Sequence, residues 1–284
     1  RRSSVITSII FSKDRPLQAD LALKSIYKNF PQSKFNIVIY DCSPELEDAY
    51  ATLRKEHPNT QWWKQQSSLF KDVWVAAAFA ETNHICFFTD DDIVFEEVPE
   101  IKMEALQDDL VTCFSLRMGL NINRRDCEGE SFSDLPNKPM LSDEGYVFWN
   151  KTVHGYGSYW SYSLSVDGHI FRKTDVLDML GELIYLEGYK KWKQNPNELE
   201  AALQRFWTIR PPIILSFQTS KIVNSPNNKV SNSCTENISG HEHSYSKDEL
   251  LKLFMDGKRI DLGLLEIQNI SCPHTEIDIL KGLQ

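Results

Sequence analysis

Apolar strand-like runs and helical runs alternate through the first ninety or so residues, and this limits the fold more than any other feature of the chain. Val5-Ile6-Thr7-Ser8-Ile9-Ile10-Phe11 reads as a buried strand. Ala19, Ala22, Leu23, Ile26 and Phe30 then recur at helical spacing, with Asp14 as the expected N-cap, Pro16 in the first turn and Pro31 at the end. Phe35–Tyr40 is a second strand and Glu45–His57 a second helix. Trp62-Trp63-Lys64 is a short third strand, and Leu69–Ala80 is an Ala-rich helix that leads into Ile85-Cys86-Phe87-Phe88. Strands alternating with helices are the pattern of a parallel sheet, so the predicted class is α/β.

The fourth strand runs straight into Thr89-Asp90-Asp91-Asp92-Ile93. Three adjacent carboxylates thus stand where a buried strand leaves its sheet, which is where open α/β sheets collect ligands. They repel one another unless a cation intervenes, and hard ions such as Mg²⁺ or Mn²⁺ take oxygen ligands and bridge to phosphates. An acidic turn in water is the competing explanation. Asp14 and Asp41 also end strands. Asp41 is the better candidate to accept hydrogen bonds from a ribose or base, and Lys71 could reach a phosphate from the third helix.

The 284 residues suffice for one large domain or two small ones. A net charge of −9 excludes a protein held to nucleic acid by a general basic field. No apolar run has the length of a membrane span. None of the six cysteines, Cys42, Cys86, Cys113, Cys127, Cys234 and Cys272, forms a CxxC pair. They read as reduced thiols, which points to a cytoplasmic chain; peripheral attachment to a membrane and a removed N-terminal anchor stay open, since the chain opens abruptly on Arg1-Arg2-Ser3-Ser4. Asn150, Asn237 and Asn269 each match the glycosylation acceptor pattern, which also arises by chance.

Phe11-Ser12-Lys13-Asp14-Arg15-Pro16 after the first strand, Asp41 after the second, and Phe87-Phe88-Thr89-Asp90-Asp91-Asp92 after a helix resemble, in order and spacing, the nucleotide-sugar half of a GT-A-type glycosyltransferase. The group most resembled is the broad one containing the family 2 enzymes, whose Asp-x-Asp motif the last segment matches. The resemblance implies a Rossmann-like, mixed but mainly parallel sheet flanked by helices, with a helical C-terminal extension. It implies that Asp92 binds Mn²⁺ or Mg²⁺ and that Asp90 contacts the metal or ribose. Phe11, Ser12, Arg15, Asp41, Lys71, Asp90 and Asp91 become candidate donor-binding residues.

Later segments are read locally. Glu96–Leu110 is expected to be an acidic helix, Leu110–Leu116 a strand, and Leu120–Asn150 an irregular loop edging the acceptor side. Val147-Phe148-Trp149 and Tyr156–Tyr162 are aromatic-rich, and for most of them packing is the better explanation than sugar stacking. Leu164–Lys173 resembles a second recurrent segment of these enzymes, in which Asp167, Gly168 and His169 are candidate sugar contacts. Asn197 with Glu200 three residues on is close to a capping box. An inverting transferase needs a carboxylate base, and Glu200 or else Asp167 is the candidate. Lys229, in the polar loop from Asn224 to Gly240, is a candidate lid over a diphosphate. His241 and His243 are candidate metal ligands, with surface histidines as the competing explanation. Ser246-Lys247-Asp248-Glu249 opens a helix as a capping box, and Ile260–Leu265 and Pro273–Leu280 are expected to be small closing helices.

The expected organisation is a nucleotide-sugar half over 1–115, an acceptor half over 116–245 and an extension over 246–284. The expected activity is metal-dependent transfer of a sugar from a nucleotide-sugar, UDP-sugar before GDP-sugar, to a glycan, lipid-linked or protein hydroxyl. A retaining transferase, a nucleotidyltransferase and a non-catalytic carbohydrate-binding module are the alternatives. The second of these normally carries a Gly-rich basic loop after strand one, and Ser12–Pro16 has no glycine.

Overall fold

The computed structural model describes residues 4–66, 68–124, 140–153, 158–161, 165–186, 195–206, 211–230 and 239–284. Tyr156, Gly157, Tyr162, Leu164, Ser231, Asn232, Asn237, Cys127 and Cys234 lie outside them. In chain order the elements are β1 (Ile6–Lys13), α1 (Pro16–Asn29), β2 (Ser33–Asp41), α2 (Glu47–Glu56), β3 (Thr60–Lys64), α3 (Leu69–Phe79) and β4 (His84–Thr89). There follow β5 (Asp92–Val94), β6 (Val111–Ser115), β7 (Met140–Leu141), β8 (Val147–Asn150), β9 (His169–Arg172) and α4 (Lys173–Leu186). The chain closes with α5 (Pro196–Phe206), β10 (Ile213–Ser216), β11 (Ile222–Asn224) and α6 (Lys247–Met255).

The expected α/β class holds. Among the described residues the main sheet runs β3-β2-β1-β4-β9-β6-β10-β8-β7. Strands β3, β2, β1 and β4 are mutually parallel, as are β6 and β10. Strand β9 lies antiparallel between β4 and β6. Right-handed crossovers put α1 and α2 on one face and α3, which returns from β3 to β4, on the other. The packing agrees: α1 touches α2 and α6, and α3 touches α4 and α5. Ile9, Ile10, Ile85 and Phe88 are wholly buried at the centre, each stabilising the fold by roughly 1.5–3 kcal/mol. A separate antiparallel pair, β5 with β11, sets Asp92 opposite Asn224.

Several local expectations change. Asp14 does not cap α1. It adopts φ 54°, which a short polar side chain tolerates, and its carboxylate accepts from the Ser43 backbone N–H at 2.7 Å and hydroxyl at 2.9 Å. It therefore ties the loop after β1 to the loop after β2. The expected helix over 96–110 is an extended segment with a 3-10 turn at Met103–Gln107. Pro99 disfavours helix at Val98, and the N–H groups of Val98 and Ile101 donate instead to Asn29 O and Gln32 Oε1. The end of the 120–150 loop forms β7 and β8.

Asn195, not Asn197, caps α5: its Oδ1 accepts from Glu198 N at 3.0 Å. The Ser246–Glu249 capping box is present. The two expected closing helices are only 3-10 turns at Leu262–Leu264 and Ile279–Gly282. Residues 273–277 form a strap instead, since Thr275 N donates to Asn224 O and Ile277 N to Ser225 Oγ. Cys42 and Cys86 are free thiols. Among the described residues, no helix is long and apolar enough to cross a membrane.

Candidate active site

The sheet reverses its order of growth at β1, which pairs with β2 on one side and β4 on the other. Ligands bind at such switch points, and here the aspartate run leaves β4. Asp90 is 4% exposed. Its Oδ2 accepts from Ser12 Oγ and Lys13 N, both at 2.9 Å, and its Oδ1 from Arg15 Nη1 at 3.0 Å. The same Nη1 donates to Asp91 Oδ2 at 2.8 Å. Asp92 is 1% exposed on β5; its Oδ2 accepts from Thr89 N at 2.8 Å. The Asn224 side-chain amide is shared among Asp91 Oδ1 at 3.0 Å, Asp92 Oδ1 at 3.1 Å and Thr89 Oγ1 at 3.1 Å.

The antiparallel course of β9 brings the turn before it to the same rim. Gly168 N donates to Phe87 O at 2.7 Å, and Leu116 N to Gly168 O at 2.9 Å. Gly168 has φ +68°, and a Cβ there would collide with Ile222 Cδ1, so close packing and backbone conformation both call for glycine. Asp167 is buried; its carboxylate accepts from Arg117 Nη1 at 2.8 Å, Ser165 Oγ at 3.1 Å and Thr89 Oγ1 at 3.2 Å. Arg117 also lies over the Tyr159 ring at 5.5 Å. Glu200 reaches this turn from α5, its Oε1 accepting from Val166 N at 3.1 Å. His274, on the strap, shares a hydrogen bond with Asn224 Oδ1 at 3.2 Å and lies 5.8 Å from the Tyr159 ring.

The charges do not balance. Asp90, Asp91, Asp92 and Asp167 converge here, and the ion pairs that the described residues bring to them come from Arg15 and Arg117. Burial, only partly offset by Arg15 and reinforced by Asp91, pushes the Asp90 carboxyl up to about 6. Burial, then Asp167 and Asp91, pushes Asp92 well above the usual carboxylate range. Burial and the nearby Arg117 hold His274 and His169 below the ordinary imidazole value. Four carboxyls facing two guanidinium groups thus hold Asp90 and Asp92 back from ionising, and a bound cation would favour their ionised forms.

Not every predicted residue joins the cluster. Phe11 is buried, its ring 5.9 Å from that of Phe87, and Ser12 and the Lys13 backbone are what β1 offers the aspartates. Asp41 stands at the half-exposed end of β2, paired with Lys13 Nζ at 2.8 Å. Lys71 is exposed on the first turn of α3, and makes no ion pair with the aspartate run among the described residues. His169 is buried beside Phe171, its Nδ1 without a hydrogen-bond partner among the described residues. Lys229 is exposed next to Asn228, whose carbonyl accepts from Arg15 Nη2.

His241 and His243 sit elsewhere. Their backbone N–H groups, with that of Glu242, donate to the Glu276 carboxylate at 2.7 Å each. The histidine that reaches the cluster is His274. Sequence reading missed it, together with Arg117, Asn224 and Asn228. Pro273, which holds Cys272 in extended backbone, was the available signal for a strap at this point.

Hard carboxylate oxygens, an amide oxygen and an imidazole suit a divalent cation. Among the described residues no three His, Cys, Asp or Glu side chains form a ready-made cage.

No family model matches the chain, and no curated protein matches it. Among solved structures, S. aureus TarS aligns at 17% identity and TM-score 0.47, over 78% of this chain and 37% of that one. TarS 1-349 in complex with UDP aligns at 17% identity and TM-score 0.46, over 78% of this chain and 61% of that one. The 4-diphosphocytidyl-2C-methyl-D-erythritol synthase of Anaerococcus prevotii aligns at 10% identity and TM-score 0.40, over 75% and 86%. The chain thus spans 37% of the length of the first of these.

Proposed function

We propose that this chain is a metal-dependent glycosyltransferase that moves a sugar from a nucleotide-sugar to an acceptor hydroxyl with inversion. The observation that carries the reading is the cluster of three aspartates around one guanidinium at the β1/β4 switch point, facing a turn that bears Asp167 and receives Glu200 from α5. Asp91 and Asp92, with His274 beside them, are the residues to hold Mn²⁺ or Mg²⁺. The ion, when bound, neutralises the leaving diphosphate. The loop Ser12–Arg15, Asp90 and Asp41 orient the nucleoside, and Lys229 covers the phosphates from the 224–230 loop.

Glu200 is the general base. Its bond to Val166 N holds the carboxylate at the sugar side of the cluster, where it takes the proton of the acceptor hydroxyl. Asp167 is the alternative base, but its carboxylate is already engaged by Arg117, and orienting a sugar hydroxyl suits it better.

The test is thermal stability against UDP, GDP, CMP and dTDP, each with Mn²⁺ and with EDTA. A ligand that binds only the native state raises the midpoint by mass action. A metal-dependent rise with one nucleotide, lost in Asp92→Ala, supports the site and names the base. No rise with any nucleotide at millimolar concentration overturns it.

A further inference from the structure

Arg15 is the one side chain that links the floor of the proposed donor seat to its cover among the described residues. Nη1 lies between Asp90 Oδ1 and Asp91 Oδ2 at 3.0 and 2.8 Å, and Nη2 donates to the carbonyl of Asn228 in the loop that follows β11. One helical turn on, Gln18 Nε2 donates to Asn228 Oδ1 at 3.3 Å. The first turn of α1 therefore clamps the loop that carries Lys229. The guanidinium's own pKa is raised, since Asp91 and Asp90 outweigh the burial that opposes its charge.

The clamp is incompletely satisfied. Arg15 Nε, Gln18 Oε1 and Asn228 Nδ2 are all buried without a hydrogen-bond partner among the described residues. Buried polar atoms left unpaired are costly, so the clamped arrangement is poised to give way when a competitor for the carboxylates arrives. A divalent cation is such a competitor. It needs the Asp91 oxygen that Arg15 holds, and two cations within bonding distance of one carboxylate repel each other.

We infer that Arg15 is a resident counter-ion of the donor seat, displaced by the divalent cation, and that its departure unclamps the 226–230 loop so that Lys229 can close on the nucleotide. This rests on the metal-binding reading of the aspartate run.

The experiment is titration of the whole chain with Mn²⁺ alone by calorimetry, with hydrogen exchange of the 226–230 segment followed in parallel. Arg15→Gln removes the charge; Arg15→Lys keeps it. Arg15→Gln should bind Mn²⁺ about tenfold more tightly than wild type, Arg15→Lys should bind it as weakly as wild type, and Mn²⁺ should speed exchange of the loop in wild type. In Arg15→Gln the loop should exchange fast without metal. Equal or weaker binding by Arg15→Gln overturns the counter-ion role alone. An unchanged loop in wild type with Mn²⁺ overturns the clamp, and decides it even if Arg15→Gln does not fold. No Mn²⁺ binding in any form overturns the donor-seat reading itself.

Discussion

Asn224 faces Asp92 across the two-stranded β5–β11 pair, and its side-chain amide donates to the Asp92 carboxylate at 3.1 Å while its carbonyl oxygen meets His274 at 3.2 Å. One neutral residue thus spaces two acidic side chains and aims the imidazole toward them. The strap beyond Cys272 is bonded to the same residue by backbone on both sides, through Asn224 N to Pro273 O and Thr275 N to Asn224 O.

His274→Ala should weaken Mn²⁺-dependent nucleotide binding by about tenfold or more, with little change in the metal-free midpoint. His241→Ala and His243→Ala should leave it unchanged, because these residues gather round Glu276. Calorimetry with Mn²⁺ and UDP on the three variants checks this.

Arg117 and Asp167 are a buried pair at 2.8 Å. Removing the guanidinium leaves a carboxylate without its counter-charge, so Arg117→Leu should lose about 3–5 kcal/mol. Adding Asp167→Asn should return part of that loss. Urea unfolding of both single variants and the double variant measures the coupling; strict additivity would contradict it.

Asp90 gives a pH signature in the metal-free chain. Its folded-state pKa, about 6, lies above the unfolded value of a carboxyl, so the native state takes up a proton between the two and gains stability as pH falls through 6. Asp90→Asn has no such term. Wild type should therefore gain on Asp90→Asn as pH drops from about 7 to about 5, read from thermal midpoints in EDTA. No slope would mean that Asp90 ionises as it does in the unfolded chain, and the opposite slope that folding favours its ionised form.

Glu200→Gln should lower kcat by about 10²–10⁴-fold while leaving nucleotide affinity near that of wild type, since its proposed role is at the acceptor hydroxyl and not at the nucleotide. Turnover is followed as nucleotide release with Mn²⁺ present. A fall in affinity with kcat preserved would make Glu200 a support for the Val166 turn only.

The α/β class and the first four parallel strands were legible because their signals are local: continuous apolar runs, helical spacing and proline punctuation. The aspartate run was legible for the same reason, as it directly follows such a strand. What stayed hidden depends on distant pairing. Asn224 matters because β11 happens to lie opposite β5. His274 matters because residues 273–277 give their N–H groups to Asn224 and Ser225 rather than to a helix. Arg117 follows a strand whose neighbour, β9, comes some fifty residues later. Of the local errors, the helix over 96–110 came from weighting acidic helix formers above Pro99.

Strand β9 is a seam. Its reversed direction joins two blocks of parallel strands, β3-β2-β1-β4 and β6-β10, that are not neighbours in the main sheet among the described residues. The segments that leave β6 and β10 nonetheless carry Arg117 and Asn224 to the acidic centre, so the two blocks communicate through side chains at the rim and not through the ladder of the sheet.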